Sequence, residues 1–176
     1  VYPGSIALSG DGETAWTANF FGSSVSEIDL PGRRIRRTLP IKNLGEAVIL
    51  AQDGKTLLAA TRDITICIDL QKWEIAGKIK TSEYGSAFFK DGKGQISNVD
   101  TAKWTMCPID VEKKIVLPPV PAPYPARALI ADPRTGDILA GDCDKNEIVR
   151  ISASNAEVRK LADVQFPFGM GIIDHE

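Results

Sequence analysis

Residues 3–30 read PGSIALSGDGETAWTANFFGSSVSEIDL, and the spacing of apolar runs and turn residues in this stretch decides the fold. Residues 5–8 form an apolar run that stops at Gly10-Asp11-Gly12. Residues 14–18 form a second run, and after a loop at 20–23 residues 25–30 form a third. Pro31-Gly32 then leads into a fourth at 35–39. Runs this short, rich in β-branched and aromatic residues and punctuated by Gly, Pro and Asp, predict four antiparallel strands joined by tight turns.

The same grammar recurs along the chain. Ile28-Asp29, Ile68-Asp69 and Ile109-Asp110 close successive third runs, with Ile151-Ser152 as a weaker copy, at spacings of 40, 41 and 42. Turn marks precede them at Asp11-Gly12, Asp53-Gly54, Asp91-Gly92 and Thr135-Gly136. A third mark opens each unit: Tyr2-Pro3, Leu44-Gly45, Tyr84-Gly85, Tyr124-Pro125 and Phe166-Pro167. Three marks in phase define repeats at 3–41, 45–81, 85–120 and 126–164, with the start of a fifth at 166–176. No apolar spacing of three and four persists without a breaker, so no long helix is expected.

A four-stranded sheet of some forty residues cannot bury both faces alone and must stack on sister sheets, which predicts an all-β chain folded as a β-propeller. The first run of each repeat, with Ile6-Ala7-Leu8, Ala47-Val48-Ile49-Leu50, Ala87-Phe88-Phe89 and Ala128-Leu129-Ile130, is the most apolar, so these inner strands are expected to be buried on both faces. Four blades plus one surplus inner strand point to an arc of a larger ring of roughly seven or eight blades, with a closed four-bladed ring as the alternative. Trp16, Trp73 and Trp104 are expected to pack between blades.

The first repeat resembles the YVTN-type propeller family. Pro3 precedes the first apolar run, Asp11-Gly12 supplies the DG turn, and Trp16-Thr17-Ala18-Asn19 stands where that family has a Tyr-Val-Thr-Asn-like strand. A Ser/Gly-rich loop and a strand ending in Ile28-Asp29 follow. The likeness is clearest over 3–41 and fades through the later repeats. It implies a propeller from a group found on cell surfaces and in the periplasm, which slightly favours an extracytoplasmic location. It also implies two routes to catalysis, one lactonase-like and one as a subunit of a quinohaem amine dehydrogenase.

Composition sets the limits. Lys plus Arg total 21 and Asp plus Glu 23, for a net charge of −2, which gives no electrostatic footprint for nucleic acid. No apolar run reaches the roughly 20 residues of a membrane span. The chain opens without a signal-peptide pattern, as a mature secreted protein or an excised piece would. Cys67, Cys107 and Cys143 form no disulfide framework, and a single bridge between neighbouring repeats stays open. His175 is the only histidine, which argues against a His-rich metal site or a Ser-His-Asp triad in this chain.

Candidate sites follow from the repeat frame. Residues that begin the inner strands should ring the channel mouth, where loops from all blades converge on a ligand. Glu46, Ser86 and Arg127 are the candidate binding groups there. Asn19, Thr61, Asp100 and Asp142 end the second strands, either as a ring of loop ligands or as acceptors that hold turns. Asp29, Asp69 and Asp110 repeat with the blade and read as turn residues. The basic run at 33–37 reads as a solvated edge strand protected by charge. Residues 142–147 begin like a calcium loop, but Glu147 and Ala153 stand where Gly and Glu are needed, so calcium is disfavoured and no cofactor is expected. The absence of local catalytic motifs favours a binding scaffold over an enzyme, with a protein partner, further blades or self-association completing the ring. The alternative is a propeller enzyme or enzyme subunit whose catalytic groups lie partly outside this chain.

Overall fold

The computed structural model describes residues 3–81, 85–126, 128–165 and 167, and every regular element among them is a β-strand. The first sheet contains β1 (Pro3–Leu8), β2 (Thr14–Asn19), β3 (Ser24–Asp29) and β4 (Arg34–Pro40), hydrogen-bonded in that order. The second contains β5 (Leu44–Leu50), β6 (Thr56–Thr61), β7 (Ile64–Asp69) and β8 (Glu74–Lys80). The third runs β9 (Gly85–Lys90), β10 (Ile96–Asp100), β11 (Thr105–Asp110), then β12 (Ile115–Val116) and β13 (Val120–Pro121). The fourth contains β14 (Ala128–Ala131), β15 (Ile138–Asp142), β16 (Glu147–Ile151) and β17 (Val158–Asp163).

In the third sheet, β12 pairs with Ile109 and Asp110 of β11, and β13 pairs with Thr105 and Met106 of the same strand. Pro118 and Pro119 lie between them and have no N–H to give the ladder, so one outer strand is split in two. The inner strands pack in chain order, β1 on β5, β5 on β9 and β9 on β14, and β2 and β6 each lean on the first strand of the next sheet. The four sheets thus radiate as an incomplete propeller.

Turn chemistry explains the local geometry. Gly12, Gly54 and Gly136 hold φ of 72°, 64° and 75° in the turns after the inner strands, a region glycine enters without a Cβ penalty. In the third sheet the residue with positive φ is Gly94, at 87°, two positions past the expected Asp91-Gly92 mark. There Asp91 still organises the turn by accepting the N–H groups of Lys93 and Gln95.

The core lies between sheets. Successive side chains of a strand point to opposite faces. From β6, Leu57 and Ala59 join Trp16, Ala18, Val25, Ile66 and Ile68 between the first and second sheets. Leu58 points the other way, to Cys67, Ile79, Ile96 and Ile109 between the second and third. Ala140, Val149 and Ile151 carry the next core with Ala126. The strands buried on both faces are therefore the second ones, not the inner ones as expected. In β1, Ile6 and Leu8 stay 58% and 55% exposed, while β10 is buried throughout. β1 opens the arc, so the face carrying Ile6 and Leu8, opposite Ala7 and Trp16, has no sheet against it among the described residues; the inner strands together line an axial cavity of about 690 Å3 with Ile6, Leu8, Leu50, Phe88, Leu129 and Ile130.

The basic run at 33–37 lies on the exposed edge strand β4 and the turn before it, and three of its arginines are also engaged. Arg34 and Arg36 pair with Asp29 at 3.1 Å each. Arg37 reaches across to the second sheet: it donates to Glu27 and to the Leu70 carbonyl, both at 2.7 Å, and lies 4.4 Å over the Trp73 ring. Trp16 and Trp73 do pack between the first two sheets, whereas Trp104 sits in the β10–β11 turn at φ 51°. Among the described residues none of the three cysteines is in a disulfide, and Cys67 and Cys107 are buried. Arg127, His175 and the expected fifth inner strand lie outside the described residues. Pro167, which opens that repeat, is buried against Gly141, where a Cβ would meet the proline carbonyl at 2.6 Å.

Candidate functional site at the channel mouth

Three of the inner strands lose register at the same end. The shift falls between Pro3 and Ser5 in β1, between Leu44 and Val48 in β5, and opposite Val99 and Asp100 in β9. A bulge leaves residues unpaired and re-aims them, and such irregularities gather near functional sites. Here the residues freed from the ladder include Gly4, Glu46 and Ser86, so the backbone device repeats while the side chain it presents does not. Glu46 is exposed at the mouth. Gly4 lies directly under it; a Cβ on Gly4 would stand 2.7 Å from the Glu46 Cα and carbonyl oxygen. The Val48 N–H, next to the bulge, donates to the Ser5 hydroxyl at 2.8 Å and clips the second inner strand to the first. The structure places Glu46 and the backbone of Ser86 at this mouth, while the Ser86 side chain and Arg127 lie outside the described residues.

The second-strand ends are spoken for by their own loops. Asn19, 7% exposed, donates to Ser24 and Ser26 at 3.2 and 2.8 Å. Asp100 accepts the N–H groups of Ala102 and Lys103 at 2.9 and 3.0 Å. Asp142 does the same for Asp144 and Lys145. Thr61 donates to the Ile64 carbonyl at 2.7 Å. Burial pushes the Asp142 carboxyl up, but the Lys145 N–H and ammonium outweigh it and hold the group below the usual carboxylate value. The lysine ammonium lies 3.3 Å from Asp142.

Two arrangements escaped the sequence reading. Lys145 also donates to the Tyr124 hydroxyl at 2.7 Å and lies 4.9 Å over its ring, while that hydroxyl donates to Glu147 at 3.1 Å. Tyr124 was visible only as a periodic mark; its partners come from the β15–β16 register. Asp137 accepts from Arg150 and from the Ala153 N–H, which hold its carboxyl below the usual range. Among the described residues no three His, Cys, Asp or Glu side chains converge to hold a metal ion.

No protein-family model and no curated protein sequence matches the chain. Its fold is similar to that of solved structures. Hydrazine synthase from Kuenenia stuttgartiensis matches at a TM-score of 0.72 and 19% identity, over 90% of this chain and 49% of that one. A catalytically inactive virginiamycin B lyase from Staphylococcus aureus, with quinupristin, matches at 0.64 and 14%, over 89% of this chain and 54% of that one. A dihydro-heme d1 dehydrogenase matches at 0.59 and 13%, over 88% of this chain and 36% of that one. These identities establish a shared propeller fold alone, and the chain spans about half the length of the first two structures. All three are enzymes, and this corrects the expectation of a non-catalytic scaffold. That expectation rested on the absence of local motifs. Propeller sites are assembled from loops of several blades, so a stretch lacking a compact motif is compatible with catalysis.

Proposed function

We propose that this chain is the four-bladed part of a propeller enzyme or enzyme subunit, of the YVTN-like type, whose catalytic groups lie partly outside it. Its own contribution is at the channel mouth, through Glu46, Ser86 and Arg127. The observation that carries the reading is the repeated loss of register at one end of three inner strands, which frees Gly4, Glu46 and Ser86 from the ladder. The enzymes that share the fold support it. Further blades, on a partner chain or on more of the same polypeptide, complete the ring, and the repeats at 3–41, 45–81, 85–120 and 126–164 act as its consecutive blades.

The test is an activity screen on the ring-completed assembly, using lactones and esters for hydrolysis and primary amines with an artificial electron acceptor for oxidation. Turnover is expected, with Glu46→Gln lowering kcat by about a hundredfold or more, as removal of a general acid or base does, at an unchanged unfolding midpoint. Turnover indifferent to Glu46→Gln and Arg127→Ala would place the chemistry elsewhere.

A further inference from the structure

Between the first and second sheets, at the same end of the molecule as Glu46, a cleft of about 610 Å3 runs outward to β8. Its floor is apolar: Leu44 and Ile66 are 2% and 5% exposed, with Ile64 beside them. Phe20 forms one wall, its ring 4.9 Å from that of Phe21. Three cations line the cleft from three different elements. Lys42 comes from the β4–β5 connection, Arg62 from the β6–β7 turn and Lys78 from β8, against the one carboxylate of Asp63. Thr61 pins the turn that carries Arg62 through its bonds to both the Ile64 N–H and carbonyl.

Among the described residues Lys42, Arg62 and Lys78 have no ion-pair or hydrogen-bond partner. Several cations elsewhere in the repeats are paired instead. Arg34, Arg36 and Arg37 of the first sheet each meet a carboxylate. In the corresponding loop of the fourth sheet, Lys145 is neutralised by Asp142 and Glu147. In the cleft three like charges from three elements are gathered in a concave site whose apolar floor focuses their field. We infer that this cleft binds a small organic anion bearing two or more acid groups on an apolar ring. The cations take the acid groups, Arg62 with a planar fork suited to carboxylate, sulfonate or phosphate oxygens. Phe20, Leu44 and Ile66 cover the ring. The assignment does not depend on the catalytic reading of the channel mouth.

Calorimetric titration with naphthalene-1,5-disulfonate at low salt tests it. One saturable site per chain is expected, weakening as salt is added. Arg62→Glu should weaken binding about tenfold, the loss of roughly one charge-assisted hydrogen bond, and Lys42→Glu with Lys78→Glu by at least as much. Lys90→Glu with Lys93→Glu, on the axial cavity at the opposite end, should leave it unchanged. Glu46→Gln should not weaken it either, which separates this site from the mouth. All these side chains are exposed, so matching unfolding midpoints will show that the variants fold. Absence of binding, or equal loss in the Lys90/Lys93 control, overturns the site. Equal affinity for inorganic pyrophosphate, or for naphthalene-1,5-diol, overturns the ligand class by removing the need for the ring or for the charges.

Discussion

Arg33, Trp73, Lys114 and Ala156 hold φ of 49°, 56°, 55° and 57°, and each sits in the hairpin between the third and fourth strands of successive sheets. This left-handed position recurs with the blade, yet none of the four is glycine. A side chain there crowds the following carbonyl by about 1 kcal/mol. Trp73 recovers that cost by packing on the first core and under Arg37. Ala156 has no such compensation, because its side chain is exposed. Ala156→Gly is therefore expected to stabilise the protein by about 0.5–1 kcal/mol, read as a higher urea midpoint at constant m-value. The positions themselves were hidden in the sequence, since Arg, Trp, Lys and Ala carry no common turn signal. Periodicity located the hairpins, but the backbone conformation inside them came from the pairing geometry of the strands.

At the scale of the element, the second strands bear the load between blades. Leu58 is fully buried between the second and third sheets. Leu58→Ala should cost about 2–5 kcal/mol, the transfer term plus a cavity. A loss below about 1 kcal/mol by denaturant unfolding would mean that this interface is loose. Alternation alone could not have singled these strands out. In β6 the run Leu57-Leu58-Ala59-Ala60 is apolar at every position, as a strand covered on both faces must be. The inner strands look much the same in sequence, and what separates the two is the axial cavity that the inner strands line. The bulges that place Glu46 and Ser86 were equally illegible, because a bulge is a mismatch between two strands and belongs to neither alone.

At the scale of the whole molecule, carboxylates at the turns couple folding to pH. The Gly32 N–H and then the Arg34 guanidinium hold Asp29 below its ordinary value. The N–H and ammonium of Lys113 do so for Asp110. The Ala153 N–H and Arg150 do so for Asp137. Groups with depressed folded-state values add stability that is complete above the unfolded value and is lost as pH falls through the folded one. The unfolding midpoint should therefore be flat from neutrality to about pH 5 and fall progressively below about pH 4; a rise over that range would contradict the turn role of these residues. The incomplete ring makes a second demand. Ile6 and Ile35 lie on the same face of the first sheet, 58% and 63% exposed, and a further blade would cover them. Native mass spectrometry should find the 176-residue chain associated with additional blades, and Ile35→Lys should weaken that association; a stable monomer indifferent to the substitution would show that the arc needs no completion. The forty-residue period by itself determined the sheet order and the stacking of sister blades, because a repeating pattern of short apolar runs and turns has few ways to bury its faces. Only the tertiary structure decided which strands are buried twice, which cations find carboxylates and which are left gathered in a cleft, because those outcomes depend on neighbours brought together across sheets from positions far apart in the chain.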